Sequence, residues 1–228
     1  MNLRTIPLFS LFLLLTFTTA PLILCLSQDA KNIVIDPAGH AKDVGRTLFK
    51  GYERTETYAC ALALKSALEQ RSSRVTVNLT RAPGEEVVPL QNASYANRTH
   101  ATLFIRLQMV TSTVGAPFVD VYTLTFDPVL DNTPYQPAAG GFIPLDHAHR
   151  IHGDKTKLLA ATCRNQLKQS LPAPWRVSNQ IIGLPLMPLR GIIAPAFAIE
   201  IGLANSNEEW KELLPALVDS LLHVINLG

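Results

Sequence analysis

The chain has 228 residues, of which 47% are hydrophobic and 17% are charged, with 20 basic and 18 acidic side chains. A formal net charge of +2, without a basic stripe interleaved with aromatic residues, argues against a nucleic-acid partner. Residues 31–228 are enough for one domain with a sizeable hydrophobic core.

The N-terminal segment predicts export. Arg4 supplies a positive charge, residues 6–18 are nearly all apolar, and residues 21–26 continue the apolar run. This pattern is typical of a signal peptide, but the run over residues 6–26 is also just long enough to span a bilayer. We therefore expect residues 1–30 to be a signal peptide or an N-terminal membrane anchor. The protein is expected in the periplasm or cell envelope, attached to the inner membrane if the segment is retained.

Strands and helices alternate along the rest of the chain. Strand patterns, rich in β-branched and apolar residues, occur over residues 33–35, 74–79, 102–109, 118–126, 180–189 and 194–201. Helical patterns occur over residues 53–70, 90–99, 154–171 and 208–227, the last after a capping sequence at 205–207. Residues 127–144 predict a surface excursion. The pattern indicates a single α/β domain over residues 31–228, with a mixed, largely parallel twisted sheet of about six strands and helices on both faces.

The first predicted helix carries an approximate apolar stripe that includes Leu62 and Leu64. Two cysteines, Cys60 and Cys163, fall in predicted helices. Two cysteines do not make a disulfide framework, so we expect buried free thiols, with a disulfide as the alternative.

The most informative stretch is residues 33–45 (IVIDPAGHAKDVG). An apolar strand ends at Asp36, and Gly39 gives the backbone freedom next to His40. A titratable side chain at the carboxyl end of a buried strand is where open α/β sheets place ligands. Taken alone, the stretch favours a hydrogen-bonded histidine in a surface loop over a functional site.

This stretch resembles the opening of the zinc-dependent N-acetylmuramoyl-L-alanine amidases of bacterial cell-wall turnover. Later segments resemble the same family in the same order. They are Glu53 at the head of the first helix, residues 79–81 (LTR), residues 95–98 (YANR), residues 101–105 (ATLFI), residues 195–202 (PAFAIEIG) and residues 205–208 (NSNE). The resemblance spans the chain from residue 31 to the C-terminus.

The resemblance implies a zinc hydrolase that cuts the amide between N-acetylmuramic acid and the L-alanine of the stem peptide, with peptidoglycan as the partner. In that chemistry two imidazoles and one carboxylate hold zinc, and zinc activates a water molecule. A glutamate that is not a ligand takes the proton. Carried onto this chain, the ligand positions are His40, Glu53 and Gln108, and the catalytic base is Glu200.

Two departures from the family pattern predict a degenerate metal site. His40 sits one place late in its loop, and residues 105–108 (IRLQ) end in Gln108 where the family has a histidine. A neutral amide is a poor substitute for imidazole on zinc. We therefore expect activity to be weakened or lost. The change Gln108→His is expected to raise zinc affinity, because it restores a third strong donor.

Each candidate residue also has a plain structural interpretation. Glu53 is then a helix-start carboxylate favoured by the helix dipole, Glu200 a buried acid held by backbone donors, and Gln108 a hydrogen-bonding residue in a vacated site. A histidine cluster, His147, His149 and His152, is either a replacement ligand source or a polar segment before a helix.

Three functions therefore compete, and the sequence leaves open whether the chain is an enzyme. The first is an exported peptidoglycan amidase with weakened or altered metal binding. The second is a non-catalytic relative that binds cell-wall glycopeptide or regulates a true amidase. The third is an unrelated periplasmic α/β binding protein.

Overall fold

The computed structural model describes residues 30–88, 90–133, 135–136 and 141–227. The predicted signal peptide or anchor lies outside the described residues, apart from Ala30. Across the described ranges, no helix is both long enough and apolar enough to span a membrane.

Within these ranges, seven strands form one mixed sheet. They are β1 (Lys31–Pro37), β2 (Val75–Leu79), β3 (Leu103–Thr111), β4 (Phe118–Leu124), β5 (Arg176–Val177), β6 (Ile182–Leu184) and β7 (Ala196–Leu203). The order is β2-β1-β3-β7-β4-β5, and β6 also pairs with β4. Every strand pair is parallel except β4 with β7. This confirms the predicted mixed, largely parallel sheet.

Helices cover both faces of the sheet, but unevenly. The four α-helices of the described part are α1 (Glu53–Arg71), α2 (Gln91–Arg98), α3 (Gly153–Ser170) and α4 (Trp210–Leu227). Because side chains alternate along a strand, Ile33 and Ile105 join the large core under α1, α3 and α4. Val34 and Phe104 face the opposite way and join a smaller core with α2.

The sequence predictions were least accurate around β5 and β6. The two-residue β5 was not predicted. The strand predicted over residues 180–189 shrinks to the three residues of β6 and is followed by a 3-10 turn, Met187–Leu189. Pro185 and Pro188 explain this difference, since proline cannot donate a hydrogen bond to a strand ladder.

The parallel run of β1, β3 and β7 brings their carboxyl ends together at one end of the sheet, which we call the carboxyl end of the sheet. The first turn of α1 lies there, because the Glu53 carboxylate accepts a hydrogen bond from the backbone N–H of Met109 in β3. The antiparallel β4 starts at the same end and places Asp120 opposite Glu200. This end of the sheet therefore collects the candidate residues.

Cys60 and Cys163 are buried free thiols, as predicted. Burial raises the pKa of each thiol to about 12, with a small contribution from Glu56 at Cys60. Both are therefore protonated and unreactive at neutral pH.

The two leucines of the predicted α1 stripe test the packing of this helix. Leu64 is 0% exposed and Leu62 is 45% exposed, although the sequence pattern placed both on one apolar face. We expect Leu64→Ala to lower the free energy of unfolding by about 2–5 kcal/mol, because it leaves a cavity in the core. Leu62→Ala, the matched control, should change it by less than about 0.5 kcal/mol.

Urea denaturation followed by circular dichroism measures both values. Equal losses in the two variants would contradict the packing of α1 described above.

Candidate functional site

The loop after β1 follows β3 closely and carries His40. The backbone N–H of Ala38 donates to the carbonyl of Leu107 at 2.9 Å. Gly39 then has a φ of +75°, and a Cβ there would lie 2.6 Å from the Cβ of Arg54. Only glycine satisfies both conditions, so this residue sets the direction in which His40 leaves the strand.

The His40 ring turns one nitrogen towards its own loop. Its Nδ1 lies 3.3 Å from the backbone N of Lys42 and 3.4 Å from the backbone N of Asp43. A neutral imidazole carries one proton, so an Nδ1 that accepts hydrogen bonds leaves the proton on Nε2. A ring nitrogen must be free of its proton to bind zinc. In this arrangement Nδ1 of His40 faces the backbone of its own loop.

Glu53 opens α1 and is 4% exposed. Its Oε1 accepts the N–H of Met109 at 2.8 Å, and its Oε2 accepts the N–H of Arg46 at 3.0 Å. The approach of the loop depends on Gly45, where φ is +73° and a Cβ would lie 2.7 Å from Oε2. Backbone donors therefore engage both oxygens of the carboxylate.

The carboxylate of Glu200, on β7, is also engaged on both oxygens. Its Oε1 forms an ion pair with Nη1 of Arg46, and its Oε2 accepts a hydrogen bond from the Tyr122 hydroxyl at 2.9 Å. The side chain of Glu200 is 13% exposed, so the pair is partly shielded from water. Arg46 thus contacts Glu53 through its backbone and Glu200 through its guanidinium.

The pKa values of the partners reflect this charge arrangement. Burial and the adjacent carboxylates of Glu200 and Asp120 raise the pKa of Tyr122 well above its usual range, so the phenol stays protonated and donates. Burial tends to lower the pKa of Arg46, but the hydrogen bond and charge of Glu200, with the charge of Glu53, raise it overall. Arg46 is therefore a permanent cation between two acids.

Gln108 lies between these two acids along the sheet. It pairs in register with Glu200 across β3 and β7, and its neighbour Met109 donates to Glu53. The structure thus brings Glu53, Gln108 and Glu200 to the carboxyl end of the sheet, with His40 in the adjacent loop. The roles assigned to these residues stay predictions.

The donor set does not fit zinc. Zinc sites in proteins need three or four strong protein donors. Within the part of the chain that the structure describes, no group of three or more His, Cys, Asp or Glu side chains is placed to hold a metal ion. Gln108 contributes only an amide, the Glu53 oxygens already accept backbone hydrogen bonds, and the Arg46 guanidinium repels a second cation.

The histidine cluster does not complete the set. His149 contacts Asp131, with 3.0 Å between Nε2 and Oδ1, and packs edge-on against Phe126. Phe126 follows the end of the antiparallel β4, at the opposite end of the sheet from Glu53. His149 therefore belongs to the structure around residues 126–133, away from Glu53.

A second polar network lies on the face of the sheet that carries Gln108 and Glu200. It was not predicted from the sequence. Asp36 is buried and accepts hydrogen bonds from Thr80 Oγ1 at 2.6 Å and Asn92 Nδ2 at 2.9 Å, and it pairs with Arg106. Arg106 stands two residues before Gln108 on β3. A detectable signal existed, because an arginine inside a buried strand needs a buried acid as partner. Arg46 and Tyr122 carried no comparable signal.

Comparisons with known proteins agree with this fold. Residues 33–215 match the sequence profile of the family Amidase_3, described as N-acetylmuramoyl-L-alanine amidase. No curated protein sequence matched the chain.

Among solved structures, the chain is similar to the N-acetylmuramoyl-L-alanine amidase AmiC2 of Nostoc punctiforme, with a TM-score of 0.62, 19% identity, and coverage of 86% of this chain and 98% of the other. It is similar to the amidase Ami1 of Mycobacterium smegmatis, with a TM-score of 0.63, 15% identity, and coverage of 88% and 99%. It is also similar to the CwlD amidase of Clostridioides difficile, solved in complex with the GerS lipoprotein, with a TM-score of 0.60, 14% identity, and coverage of 87% and 100%.

At these identities the structural likeness shows a shared fold, and the sequence profile covers well over half of the chain. The chain therefore belongs to the N-acetylmuramoyl-L-alanine amidase family Amidase_3, whose members generally depend on zinc and act on the bacterial cell wall.

Proposed function

We propose that this protein binds the glycopeptide of peptidoglycan on the amidase fold and does not hydrolyse it by the zinc chemistry of its family. The observation that carries the proposal is the position of Arg46. Its backbone satisfies Glu53, and its guanidinium holds Glu200. The predicted metal ligand Glu53 and the predicted base Glu200 thus already bind other groups of the protein.

The positive charge of Arg46 is a stronger argument for the loss of metal binding than Gln108 in the histidine position. Two unpaired carboxylates close together would favour a dication between them. Here Arg46 supplies one positive charge at that point, and backbone N–H groups supply the remaining donors. A zinc ion would face repulsion from Arg46 and would share the Glu53 oxygens with these backbone donors.

A cavity beside His40 supports retained binding. It has a volume of about 520 Å³, and its titratable lining residues are Asp36, His40, Asp43, Arg106 and Arg190. The other walls are mainly apolar, with exposed side chains of Leu90 and Met187. Ligand sites commonly combine an apolar wall with a few fixed polar groups. A stem peptide, with methyl side chains and backbone amides, has matching chemistry.

Export to the cell envelope is part of the same proposal. Peptidoglycan lies outside the cytoplasmic membrane, and the sequence of residues 1–30 predicts a signal peptide or anchor. Family membership makes the third alternative, an unrelated periplasmic α/β binding protein, wrong.

Incubation of the full chain with purified peptidoglycan sacculi tests binding and hydrolysis together. We expect the protein to sediment with the sacculi and to release no stem peptide above the buffer level, even with added zinc. Protein in the pellet is measured by gel, and free peptide by mass spectrometry.

The cavity wall supplies the variants for this experiment. Met187→Asp should weaken sedimentation at least about tenfold, because it places a desolvated charge against the apolar part of the ligand. Leu158→Asp, at an exposed leucine of α3 on the other face of the sheet, is the matched control and should sediment normally. Zinc-dependent peptide release that disappears in Glu200→Ala would establish hydrolysis instead, and lack of sedimentation would rule out binding.

Zinc affinity tests the part played by Arg46. We expect Gln108→His combined with Arg46→Ala to bind zinc at least about tenfold more tightly than Gln108→His alone, because the nearby cation is removed. Isothermal titration calorimetry measures both constants.

The control combines Gln108→His with Arg71→Ala, which removes an equal charge from an exposed ion pair with Asp219. It should match Gln108→His alone. If both double variants bind zinc equally, Arg46 does not oppose the metal.

A further inference from the structure

A smaller pocket shares His40 with the cavity described above. It has a volume of about 280 Å³ and is lined by His40, Ala41, Arg54, Thr55, Tyr58, Arg81, Pro83 and Gly84. Two of these side chains are guanidinium groups, and no lining residue is an acid. The pocket is therefore cationic. Its positive charge comes from Arg54 and Arg81, and neither is a predicted zinc ligand or base.

The two guanidinium groups lack counterions. Among the described residues, neither Arg54 nor Arg81 has a carboxylate oxygen within 4.0 Å. The acids of the adjoining loop are engaged elsewhere, since Glu85 accepts the N–H of Ala82 at 2.7 Å and Glu86 pairs with Lys42 at 2.7 Å. The pocket thus carries positive charge that the surrounding protein does not neutralise directly.

Carbonyl groups hold both arginines in place. Arg54 Nη1 lies 3.4 Å from the carbonyl of His40 and 3.3 Å from that of Ala41. Arg81 is 6% exposed, donates through Nη2 to the carbonyl of Arg54 at 3.0 Å, and lies over the Tyr58 ring at 5.2 Å. Donors that are already oriented lose little conformational entropy when a ligand binds.

The positive charge of Arg81 is also destabilised in the protein without a ligand. Burial lowers the pKa of Arg81, Asp36 partly offsets this, and the like charges of Arg106 and Arg54 lower it further. An anion in the pocket would relieve the repulsion between Arg81 and Arg54. Guanidinium groups bind carboxylate and phosphate through charge-assisted, often bidentate, hydrogen bonds.

We infer that the pocket formed by Arg54, Arg81, Tyr58 and His40 is a binding site for a carboxylate or phosphate group. The site stands on its own geometry and charge. Where the carboxylate belongs to a stem peptide, the inference rests on the proposed function and deepens it, because His40 lines both cavities.

Calorimetry on the full chain tests this site with two probes, inorganic phosphate and the dipeptide L-alanyl-D-glutamate, each at low and high salt. The amidated dipeptide, which lacks the carboxylates, separates anion recognition from contacts with the peptide. We expect at least one anionic probe to bind, with an affinity that falls at high salt, and the amidated dipeptide to bind at least about tenfold more weakly than the acid.

Arg54→Gln is the decisive variant, since it removes one cation and keeps a polar side chain of similar length. It should weaken binding of the anionic probe at least about tenfold, and Arg54→Lys should lie between it and the native protein. Arg74→Gln, the same change at an exposed arginine at the other end of the sheet, should bind as the native protein does. Circular dichroism verifies the fold of each variant.

The outcomes separate this inference from the proposed function. Phosphate binding that depends on Arg54, in a protein that does not sediment with sacculi, supports the pocket and rejects the peptidoglycan ligand. Loss of anion binding in Arg54→Gln with unchanged sedimentation supports the pocket as a separate site. Failure of both probes to bind the native protein, or equal affinity in Arg54→Gln, overturns the inference.

Discussion

The arrangement at the carboxyl end of the sheet depends on how a buried carboxylate, Glu53, is satisfied. A buried acid needs a cation or several donors, because transfer from water is otherwise too costly. Here the donors are the backbone N–H groups of Arg46 and Met109. These two bonds fix the start of α1 against β3 and pull in the loop at Gly45. The same contacts that stabilise the fold thus involve both oxygens of the predicted metal ligand Glu53.

Arg46 also satisfies the second acid, Glu200. Its guanidinium pairs with Glu200, and Tyr122 donates to the remaining oxygen. A guanidinium carries one charge over a plane, whereas zinc concentrates two charges at a point and activates water. The arrangement gives the two carboxylates one positive charge in place of two, and it supplies no Lewis acid. Under the proposed function, this arrangement suits binding of peptidoglycan and opposes its hydrolysis through zinc.

Most of the fold was predictable because its signals are local. The β-branched run at Ile33 marked β1, and 3.6-residue periodicity marked the long helices. The meeting of Glu53, Gln108 and Glu200 followed from the family resemblance, since local patterns do not report which strands pair. Arg46 was beyond prediction because it lies in an irregular loop, where nothing in the sequence fixes the direction of the side chain. The prediction that Leu62 faces the core was wrong, because the buried face of α1 is narrower than the spacing of its leucines suggested.

Two regions of opposite character lie at the carboxyl end of the sheet. In one region, protein donors engage both oxygens of Glu53 and of Glu200, which lowers the demand for a metal cation. In the other region, Arg54 and Arg81 have no carboxylate within 4.0 Å in the described part of the chain, so an anion would complete their environment. Recognition by fixed guanidinium groups requires no metal. This distribution of charge therefore suits the proposed binding of an acidic glycopeptide without a metal.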